Sequence, residues 1–356
     1  MADFLVIGGG IAGVSAAAEL SALGSVRLLE AETALSYHAS GRSAAMFLEH
    51  YGNATVRALN AASAEVHRDS EVLSQRGFLL VGKAEQEEQL SDAARSFAAE
   101  RITVEEARGF LPILHPGTVA GAAYFPDAFD LDADRLLQRF AKALRANGGQ
   151  IDTGMQVTSL HHDGRVWCAE AGGERIEATV VVNAAGAWAD RIAALAGVRS
   201  PGIQPYRRSM ARLPAPGGLD TRDWPFTDEV EEAWYAKPDA GGWIVSPAEE
   251  DPMDPHDTWA DDMVIAEGLA RYQDFVTEEV TRVEATWAGL RSFAPDRALV
   301  IGPDPGRPGF MWCAGQGGYG FQTAPAVARL LADLAGGRAP DLPRSVVAAL
   351  CPSRFA

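Results

Sequence analysis

The chain has 356 residues, 47% of them hydrophobic, and a formal net charge of −17 without a basic stripe. This length suffices for two domains with cores of their own, and the charge argues against nucleic acid and anionic membranes as partners. No apolar run approaches the roughly 18 residues of a membrane span. No basic segment with a cleavage site begins the sequence, so we predict a cytoplasmic protein with no signal peptide and no membrane span.

The chain opens with a predicted strand–helix–strand unit. The apolar run Phe4–Ile7 predicts a strand that is buried on both faces. An Ala-rich helix is predicted from Ile11 to about Ala22, and Val26–Leu29 predicts a second strand that ends at Glu30. Such a unit is typical of dinucleotide-binding domains.

A Gly-x-Gly-x-x-Gly turn joins the first strand to the helix. Gly8 permits the tight turn, Gly10 lets the backbone approach a pyrophosphate, and Gly13 lets helix and strand pack closely. The helix N-terminus offers N–H groups and the positive end of its dipole to the phosphates. Glu30 can accept hydrogen bonds from ribose hydroxyls and would repel the 2′-phosphate of NADP. The turn predicts a dinucleotide but does not separate NAD from FAD.

Beyond this unit the pattern changes from βαβ to short strands and turns. The segment 131–149 predicts an amphipathic helix that Leu131 and Asp132 lead into and Gly148-Gly149 stop. A meander of strands then leads to the apolar strand Ala178–Val182. The region 201–284 is rich in Pro, Trp and acids and is not typical of βαβ units. Near the end, Phe310–Cys313 predicts another strand, and a last helix is predicted from about Pro325 to Leu334.

These elements predict an α/β protein (α+β overall) with two domains. The first is a discontinuous Rossmann-like domain formed by residues 1–62, 141–202 and 296–356. The second, built on a mixed or antiparallel sheet, comprises residues 63–140 and 203–295. The three cysteines are widely spaced and lack metal-ligand spacing, which predicts reduced thiols and no metal site.

Three further segments of small residues favour FAD over NAD, because the flavin half must be held far from the first turn. They are HASGRSAAM (38–46), VVNAAGAWAD (181–190) and GQGGYGFQT (315–323). Each alone is explained equally well by a turn that needs small residues. Their succession after the first glycine turn favours FAD.

With these motifs the sequence resembles the D-amino-acid oxidase superfamily of FAD flavoproteins, and within it the bacterial D-arginine and D-amino-acid dehydrogenases. The resemblance covers essentially the whole chain and is carried by LVIGGGIAG, YHASGRSAAM, VVNAAGAWAD, QPYRRSM, YAKPDAG, TWAGLRSF and GQGGYGFQT. It implies a retained FAD. Monomeric sarcosine oxidases attach their flavin to a cysteine in the segment equivalent to TWAGLRSF, which has none here, so non-covalent binding is expected.

The resemblance also implies cofactor contacts in all four segments. The AMP half is assigned to Gly8, Gly10, Gly13 and Glu30, and adenine to Val157. The pyrophosphate and flavin are assigned to Gly41, Arg42, Ser43, Ala44, Ala185 and Gly186. The flavin pyrimidine edge is assigned to Gly317, Gly318, Tyr319, Gly320, Gln322 and Thr323. Further cofactor contacts are expected at Ile11, Ala12, Ala31, Trp188 and Gly289.

For the substrate, the family's reaction needs orientation above all, since the α-hydrogen leaves as hydride to flavin N5. The resemblance assigns the carboxylate clamp to Arg291, where a bidentate guanidinium is well matched; a salt bridge to Asp296 is the alternative. Other substrate-site positions are Tyr51, Arg208, Tyr235, Met46, Phe78 and Gly318.

Two polar groups of bacterial D-arginine dehydrogenases are replaced in this sequence. A histidine gives way to Met46, and the acid that meets the guanidinium gives way to Phe78. With Phe47 and Phe226, these residues favour an apolar substrate side chain. The prediction holds only if no other acid lines the pocket.

Asp228 and Glu229 are the acids that bear on this condition. We expect them in a loop near the site, where a solvated surface charge is the simpler interpretation and capture of a cationic substrate the alternative.

We therefore predict FAD-dependent oxidative deamination of D-amino acids, with the imino acid hydrolysed to a 2-oxo acid and ammonia. The electron acceptor would be oxygen or a quinone or dye. One alternative is oxidation of glycine, sarcosine or a 2-hydroxy acid, and another is oxidation of D-arginine or D-lysine through Asp228. A third is a flavin-binding protein without turnover, against which the presence of Arg291 and Tyr235 argues.

Overall fold

Twenty β-strands and nine α-helices make up the fold in the computed structural model, which describes residues 1–356. The strands are β1 (Ala2–Ile7), β2 (Val26–Leu29), β3 (Met46–Phe47), β4 (Leu73–Gln75), β5 (Phe78–Gly82), β6 (Glu100–Ile102), β7 (Gly121–Phe125), β8 (Phe129–Leu131), β9 (Gln150–Asp152), β10 (Val157–His162), β11 (Trp167–Ala171), β12 (Glu174–Asn183), β13 (Gln204–Leu213), β14 (Phe226–Glu229), β15 (Tyr235–Asp239), β16 (Gly242–Ser246), β17 (Asp251–Pro252), β18 (Ala285–Phe293), β19 (Val300–Pro303) and β20 (Phe310–Ala314). The helices are α1 (Ile11–Leu20), α2 (Ala54–Asp69), α3 (Glu87–Phe97), α4 (Val104–Phe110), α5 (Ala133–Ala146), α6 (Ala189–Leu195), α7 (Asp262–Gln273), α8 (Gly320–Ala335) and α9 (Arg344–Leu350). None of the helices has the length and apolarity that crossing a membrane requires.

The first sheet contains the predicted strand–helix–strand unit. β1 lies between β2 and β12 and runs parallel to both, with Phe4 opposite Val26 on one side and Val180 on the other. β9 and β20 extend this parallel layer, and β10, β11 and β19 are antiparallel additions. The strands of this layer come from both ends and the middle of the chain. The predicted fold class, an α/β protein with a discontinuous Rossmann-like domain, is therefore confirmed.

β1 is apolar throughout because its two faces enter different cores. Phe4 and Val6 pack in the core shared with α1, α5 and α8. Leu5 and Ile7 pack on the other face, in a core that includes Trp167 of β11. Strands covered on both faces are expected to be continuous apolar runs rather than alternating ones.

The three glycines of the first turn are needed for different structural reasons. Gly8 has a φ of +115°, and a Cβ there would lie 2.3 Å from the carbonyl oxygen of Ala184. A Cβ on Gly13 would lie 1.9 Å from the carbonyl oxygen of Gly8, so helix and strand approach too closely for a side chain. A Cβ on Gly10 would meet only the Ser40 hydroxyl, at 3.1 Å. The backbone itself therefore requires Gly8 and Gly13, whereas Gly10 keeps an adjoining space open.

The second sheet is mixed and nine-stranded, in the order β17-β13-β16-β15-β14-β5-β7-β6 with β18 added to β13. Every pairing is antiparallel except that of β14 with β5. In this register Asp228 lies opposite Tyr235, and Phe226 lies beside Phe78. A third, small sheet has the order β3-β8-β4.

Two predicted domain boundaries fall inside helices. The 62/63 boundary lies within α2, and the 140/141 boundary lies within α5, which spans Ala133–Ala146, between the predicted lead-in residues and the predicted glycine stop. Both helices pack in the core that contains Phe4 and Val6 of β1. We therefore propose that α2 and α5 both belong wholly to the first domain, because each packs in its core.

The last predicted helix begins five residues earlier than expected. α8 starts at Gly320, and Pro325 lies inside it rather than at its first position. An internal proline removes one helical hydrogen bond. Here the helix is buried along most of its length and packs on α1 and α2, which offsets that loss. α9 was not predicted.

Candidate active site

A single cavity lies between the carboxyl ends of the parallel strands of the first sheet and the second sheet. Its walls come from the N-termini of α1 and α8, the segment 39–46, and strands β13, β14, β15 and β18. All seven predicted substrate-site residues line it: Met46, Tyr51, Phe78, Arg208, Tyr235, Arg291 and Gly318. Twelve predicted cofactor residues also line it: Gly10, Ile11, Ala12, Arg42, Ser43, Ala44, Gly186, Gly289, Gly317, Gly318, Gly320 and Gln322.

Ten predicted cofactor residues do not line this cavity. They are Gly8, Gly13, Glu30, Ala31, Gly41, Val157, Ala185, Trp188, Tyr319 and Thr323. Val157 packs in the core with Leu5, on the outer face of the first sheet. Trp188 lies against the ring of His38, with centroids 4.6 Å apart. Thr323 donates its hydroxyl to the carbonyl of Tyr319 at 2.8 Å. Their contacts with the cofactor stay a prediction.

Glu30 holds the end of β2 against the glycine turn. Its carboxylate accepts the N–H of Gly9 at 2.6 Å and the N–H of Glu32 at 2.8 Å. At the same turn, the first N–H of α1, from Ile11, is donated to the Ser40 hydroxyl at 3.0 Å. Ser40 was not singled out from the sequence, although it lies in the small-residue segment 38–46.

Arg42 lines the cavity, and its guanidinium is engaged by residues of the second domain. Its Nη1 donates to the carbonyls of Thr258 and Ala288 at 2.8 and 2.9 Å, and its Nη2 donates to Asp257 at 2.6 Å. The guanidinium therefore ties the segment 38–46 to the second domain. Only the part of Arg42 outside its guanidinium can contact a ligand in the cavity.

The cavity fits a flavin dinucleotide. The N-termini of two long helices, α1 and α8, open onto it, and such termini bind anions and polar oxygen atoms. A Cβ on Gly186 would meet nothing within 4 Å, so backbone and cofactor can approach there. The Gln322 amide nitrogen and the Ser292 hydroxyl are buried without hydrogen-bond partners and belong to the cavity wall. Both can bind a polar ring edge.

The sequence matches the family described as FAD dependent oxidoreductase (DAO) over residues 3–334. The chain belongs to this family. Its cofactor is accordingly FAD. Among curated relatives, glycine oxidase from Geobacillus kaustophilus is 27% identical over 72% of this chain and 68% of its own. FAD-dependent oxidoreductase domain-containing protein 1 from Bos taurus is 31% identical over 45% of this chain, and the match spans 36% of that protein's length.

Solved structures share the fold over nearly the whole of this flavoprotein. Glycine oxidase from Geobacillus kaustophilus has a TM-score of 0.83 at 22% identity, and 96% of each chain is covered. L-proline dehydrogenase from P. horikoshii has a TM-score of 0.85 at 22% identity, with 99% of this chain and 97% of that one covered. The similarity extends to the second sheet, and so to both walls of the cavity.

Arg291 of β18 has no acidic partner in the flavoprotein. Its Nη2 lies 3.4 Å from the Tyr235 hydroxyl. Asp296, the alternative partner, is instead paired with Arg354 at 2.7 Å. The salt-bridge interpretation of Arg291 is therefore wrong. Arg208, the second guanidinium of the cavity, does have a partner, because its Nη2 lies 3.3 Å from Glu250.

Asp228 and Glu229 lie in strand β14, not in a loop. They point to opposite faces, as successive strand residues must. Asp228 lines the cavity, whereas Glu229 is buried behind the sheet and accepts a hydrogen bond from Gln86 at 2.7 Å. The expectation of solvated surface charges is thus wrong for both. The alternation of Phe226 and Asp228 on one strand face was the sequence signal that could have placed Asp228 in the pocket.

Several further wall residues were not predicted, and one predicted residue is absent from the wall. Phe97, Glu232 and Gln316 line the cavity. Phe47 does not: it packs in the core of the first domain against His67, with ring centroids 5.1 Å apart. The reason is alternation in β3, which turns Met46 toward the cavity and Phe47 away from it.

We expect the FAD to be released by acid. None of the three cysteines lines the cavity, and Cys313 is buried behind α1, with its Sγ 3.8 Å from the carbonyl oxygen of Ala12. Precipitation with trichloroacetic acid should therefore leave a white pellet and a yellow supernatant, with about one FAD per chain by absorbance. A yellow pellet would show a covalent bond.

Proposed function

We propose that this flavoprotein oxidises D-amino acids at the bond between Cα and the amino nitrogen. FAD supplies the acceptor of the α-hydrogen, which leaves as hydride, and the residues of the cavity orient the substrate. The imino acid is then hydrolysed to a 2-oxo acid and ammonia. Oxygen, a quinone or a dye would reoxidise the flavin.

The observation that carries this proposal is the unpaired guanidinium of Arg291 beside the Tyr235 hydroxyl. A guanidinium presents two parallel N–H donors that match a carboxylate. Gly318 lies directly against it, since a Cβ there would come within 3.2 Å of the Arg291 Cζ. Because Gly318 has no side chain, the guanidinium stays open to the cavity, and a substrate carboxylate can complete its hydrogen bonds.

Tyrosines close the carboxylate end of the cavity. Tyr51 contacts Tyr319 edge to face, with centroids 5.3 Å apart, and stacks on Phe97 at 6.3 Å. Burial raises the pKa of Tyr51 well above its ordinary value, so its hydroxyl stays protonated and can donate to an anion.

Two relatives act by name on other substrates that also carry a carboxylate. The name glycine oxidase specifies glycine, and a dehydrogenase from Escherichia coli that is 28% identical over 60% of this chain is named for L-2-hydroxyglutarate. A carboxylate clamp at Arg291 would suit glycine, L-2-hydroxyglutarate and D-amino acids alike. The wall formed by Phe78 and Phe226, with rings 5.7 Å apart, favours a substrate with a side chain over glycine.

Anaerobic flavin bleaching distinguishes these reactions. The purified holoenzyme is mixed with D- and L-leucine, D- and L-lysine, glycine, sarcosine and L-2-hydroxyglutarate, and flavin absorbance is followed by stopped flow. We expect D-amino acids to reduce the flavin at least about a hundredfold faster than their L-enantiomers, because only one enantiomer presents its α-hydrogen correctly once the carboxylate is fixed. Fastest reduction by a 2-hydroxy acid or an L-amino acid would refute the proposal.

A further inference from the structure

A buried lysine of the second sheet reaches the wall of the cavity from behind. Lys237 follows Tyr235 by two residues in β15, so the two side chains leave the same face of the strand. The Lys237 Nζ donates a hydrogen bond to the carbonyl oxygen of Ala44 at 2.9 Å and lies 3.8 Å from the Sδ of Met46. Ala44 and Met46 both line the cavity. The ammonium is therefore one residue away from the space in which a ligand binds.

The ammonium belongs to a buried cluster of three charges. Asp130 of β8 accepts a hydrogen bond from Lys237 at 2.5 Å and one from Arg76 at 2.7 Å, each on a different carboxylate oxygen. Arg76 also donates to the carbonyl oxygens of Arg222 and Trp224 at 2.5 and 2.9 Å. The three charged side chains are only 9–19% exposed. With two cations and one carboxylate, this Arg76–Asp130–Lys237 cluster has a net positive charge.

The wall that Lys237 contacts is strained. Ala45 has a φ of +45°, a left-handed conformation that residues other than glycine rarely adopt. The Ala45 N–H is donated to the Ser43 hydroxyl at 3.1 Å, and the Ala45 carbonyl accepts the N–H of Leu131 at 2.8 Å. Lys237 binds the preceding carbonyl, that of Ala44. A strained backbone persists only where its surroundings hold it, and such positions cluster at ligand sites.

The same contact fixes the direction of the peptide between Ala44 and Ala45. The chain has no cis peptide bond, and the C=O and N–H of a trans peptide point in opposite directions. Because the Ala44 carbonyl points to Lys237, the Ala45 N–H points the other way, to Ser43 in the cavity wall. The negative end of this peptide dipole therefore lies at the ammonium and its positive end in the cavity wall. A fixed dipole and a buried cation arranged in this way stabilise negative charge in the cavity.

We propose that Lys237 is a positioning residue for the flavin, which holds the segment 43–46 in place and favours the reduced state of FAD bound in this cavity. A hydride carries two electrons and one proton, so its transfer gives the flavin one additional negative charge. The net positive charge of the cluster and the Ala45 N–H that Lys237 orients both favour that charged state. The inference rests on the binding of FAD in the cavity and not on the identity of the substrate.

The competing role for Lys237 is purely structural, and the two roles predict different results. As a structural tie, Lys237 joins β15 to β8 through Asp130. Its loss would then lower the melting temperature and the FAD content, and the reduction potential of the FAD still bound would stay unchanged. A buried ion pair often adds nothing to stability compared with apolar side chains of similar volume. The reduction potential is therefore the measurement that separates the two roles.

The test measures the reduction potential of bound FAD by anaerobic dithionite titration of the holoenzyme against a reference dye. In Lys237→Met, the equilibrium constant for two-electron reduction should fall by at least about tenfold, which lowers the potential by about 30 mV. Lys237→Arg keeps the charge and should stay within about threefold of the wild type. Arg212→Met is the matched control, because Arg212 pairs with Asp239 on the same sheet and lies outside the cavity wall. Its loss should change the constant by less than about threefold.

Asp130→Asn should give a shift of the opposite sign. It removes the negative charge of the cluster and leaves both cations, so the equilibrium constant for reduction should rise by about threefold or more. A wild-type potential in Lys237→Met, or an unchanged or lower potential in Asp130→Asn, would overturn the inference. If Lys237→Met retains no FAD, the sign of the shift in Asp130→Asn decides. Dithionite replaces the substrate throughout, so a failure of the proposed D-amino-acid oxidation leaves this test unaffected.

Discussion

Replacing Gly10 by valine should yield a folded protein that has lost its FAD. Gly10 precedes α1 with a φ of −76° and a ψ of −179°, a conformation that valine adopts readily. The only atom a Cβ would approach closely is the Ser40 hydroxyl. The valine side chain would instead enter the cavity at the N-terminus of α1, where we predict that the pyrophosphate binds. We expect bound FAD to fall below about a tenth of the wild-type content, and flavin reduction to disappear with it.

Gly13→Val is the matched control, because it introduces the same side chain one helical turn away. Its Cβ would lie 1.9 Å from the carbonyl oxygen of Gly8, so strand β1 and helix α1 would have to separate. We expect this variant to fail to fold. Far-UV circular dichroism of both purified variants reports whether each is folded, and flavin absorbance reports how much FAD each binds. Full FAD content in Gly10→Val would contradict the assignment of this turn to the pyrophosphate, and unfolding of that variant would contradict the distinction between the two glycines.

This contrast shows what the sequence could predict well. The first strand, helix and second strand were placed to within a few residues because each depends on local chemistry: an apolar run, a glycine turn and a terminal acid. The seven predicted substrate-site residues line one cavity, although Phe47 does not. Arg208 and Arg291 are 83 residues apart in the sequence, and neighbouring strands β13 and β18 bring them together.

The predictions that were wrong concern elements whose packing or pairing partners are distant in the sequence. The segment around Asp228 is acidic, which locally predicts a loop. Pairing with β5 and β15 makes it a strand and fixes the direction of its side chains. The start of α8 was misplaced because Pro325 is a helix-start signal locally, while burial against α1 and α2 overrides it. Neither partner can be identified from the local pattern alone.

Replacing Arg291 by methionine should produce the largest loss of activity in a protein that keeps its FAD. The substrate carboxylate would lose two charge-assisted hydrogen bonds, each worth roughly 1.5–3 kcal/mol. At about 1.4 kcal/mol per factor of ten, kred/Kd for D-amino acids should fall by about 10² to 10⁴. Both the affinity and the limiting rate should fall, because the same bonds hold the ground state and the geometry of hydride transfer.

Arg291→Lys should recover only part of this loss, because an ammonium lacks the planar pair of donors. The control is Arg297→Met, since Arg297 is paired with Glu250 outside the cavity and its removal should leave kred/Kd within about threefold. Stopped-flow reduction by D-leucine and D-lysine supplies the values. Wild-type kinetics in Arg291→Met would show that the carboxylate binds elsewhere.

Stability separates a binding role of Arg291 from a structural one. A structural arginine satisfies acidic partners, and its loss would lower the melting temperature of the holoenzyme. Arg291 has no acidic partner and is half-buried, so in the absence of substrate it contributes an unpaired charge that is partly withdrawn from solvent. We therefore expect the melting temperature of Arg291→Met holoenzyme to equal or exceed that of the wild type while its activity falls. A lower melting temperature together with the lost activity would assign Arg291 to the fold instead of the substrate.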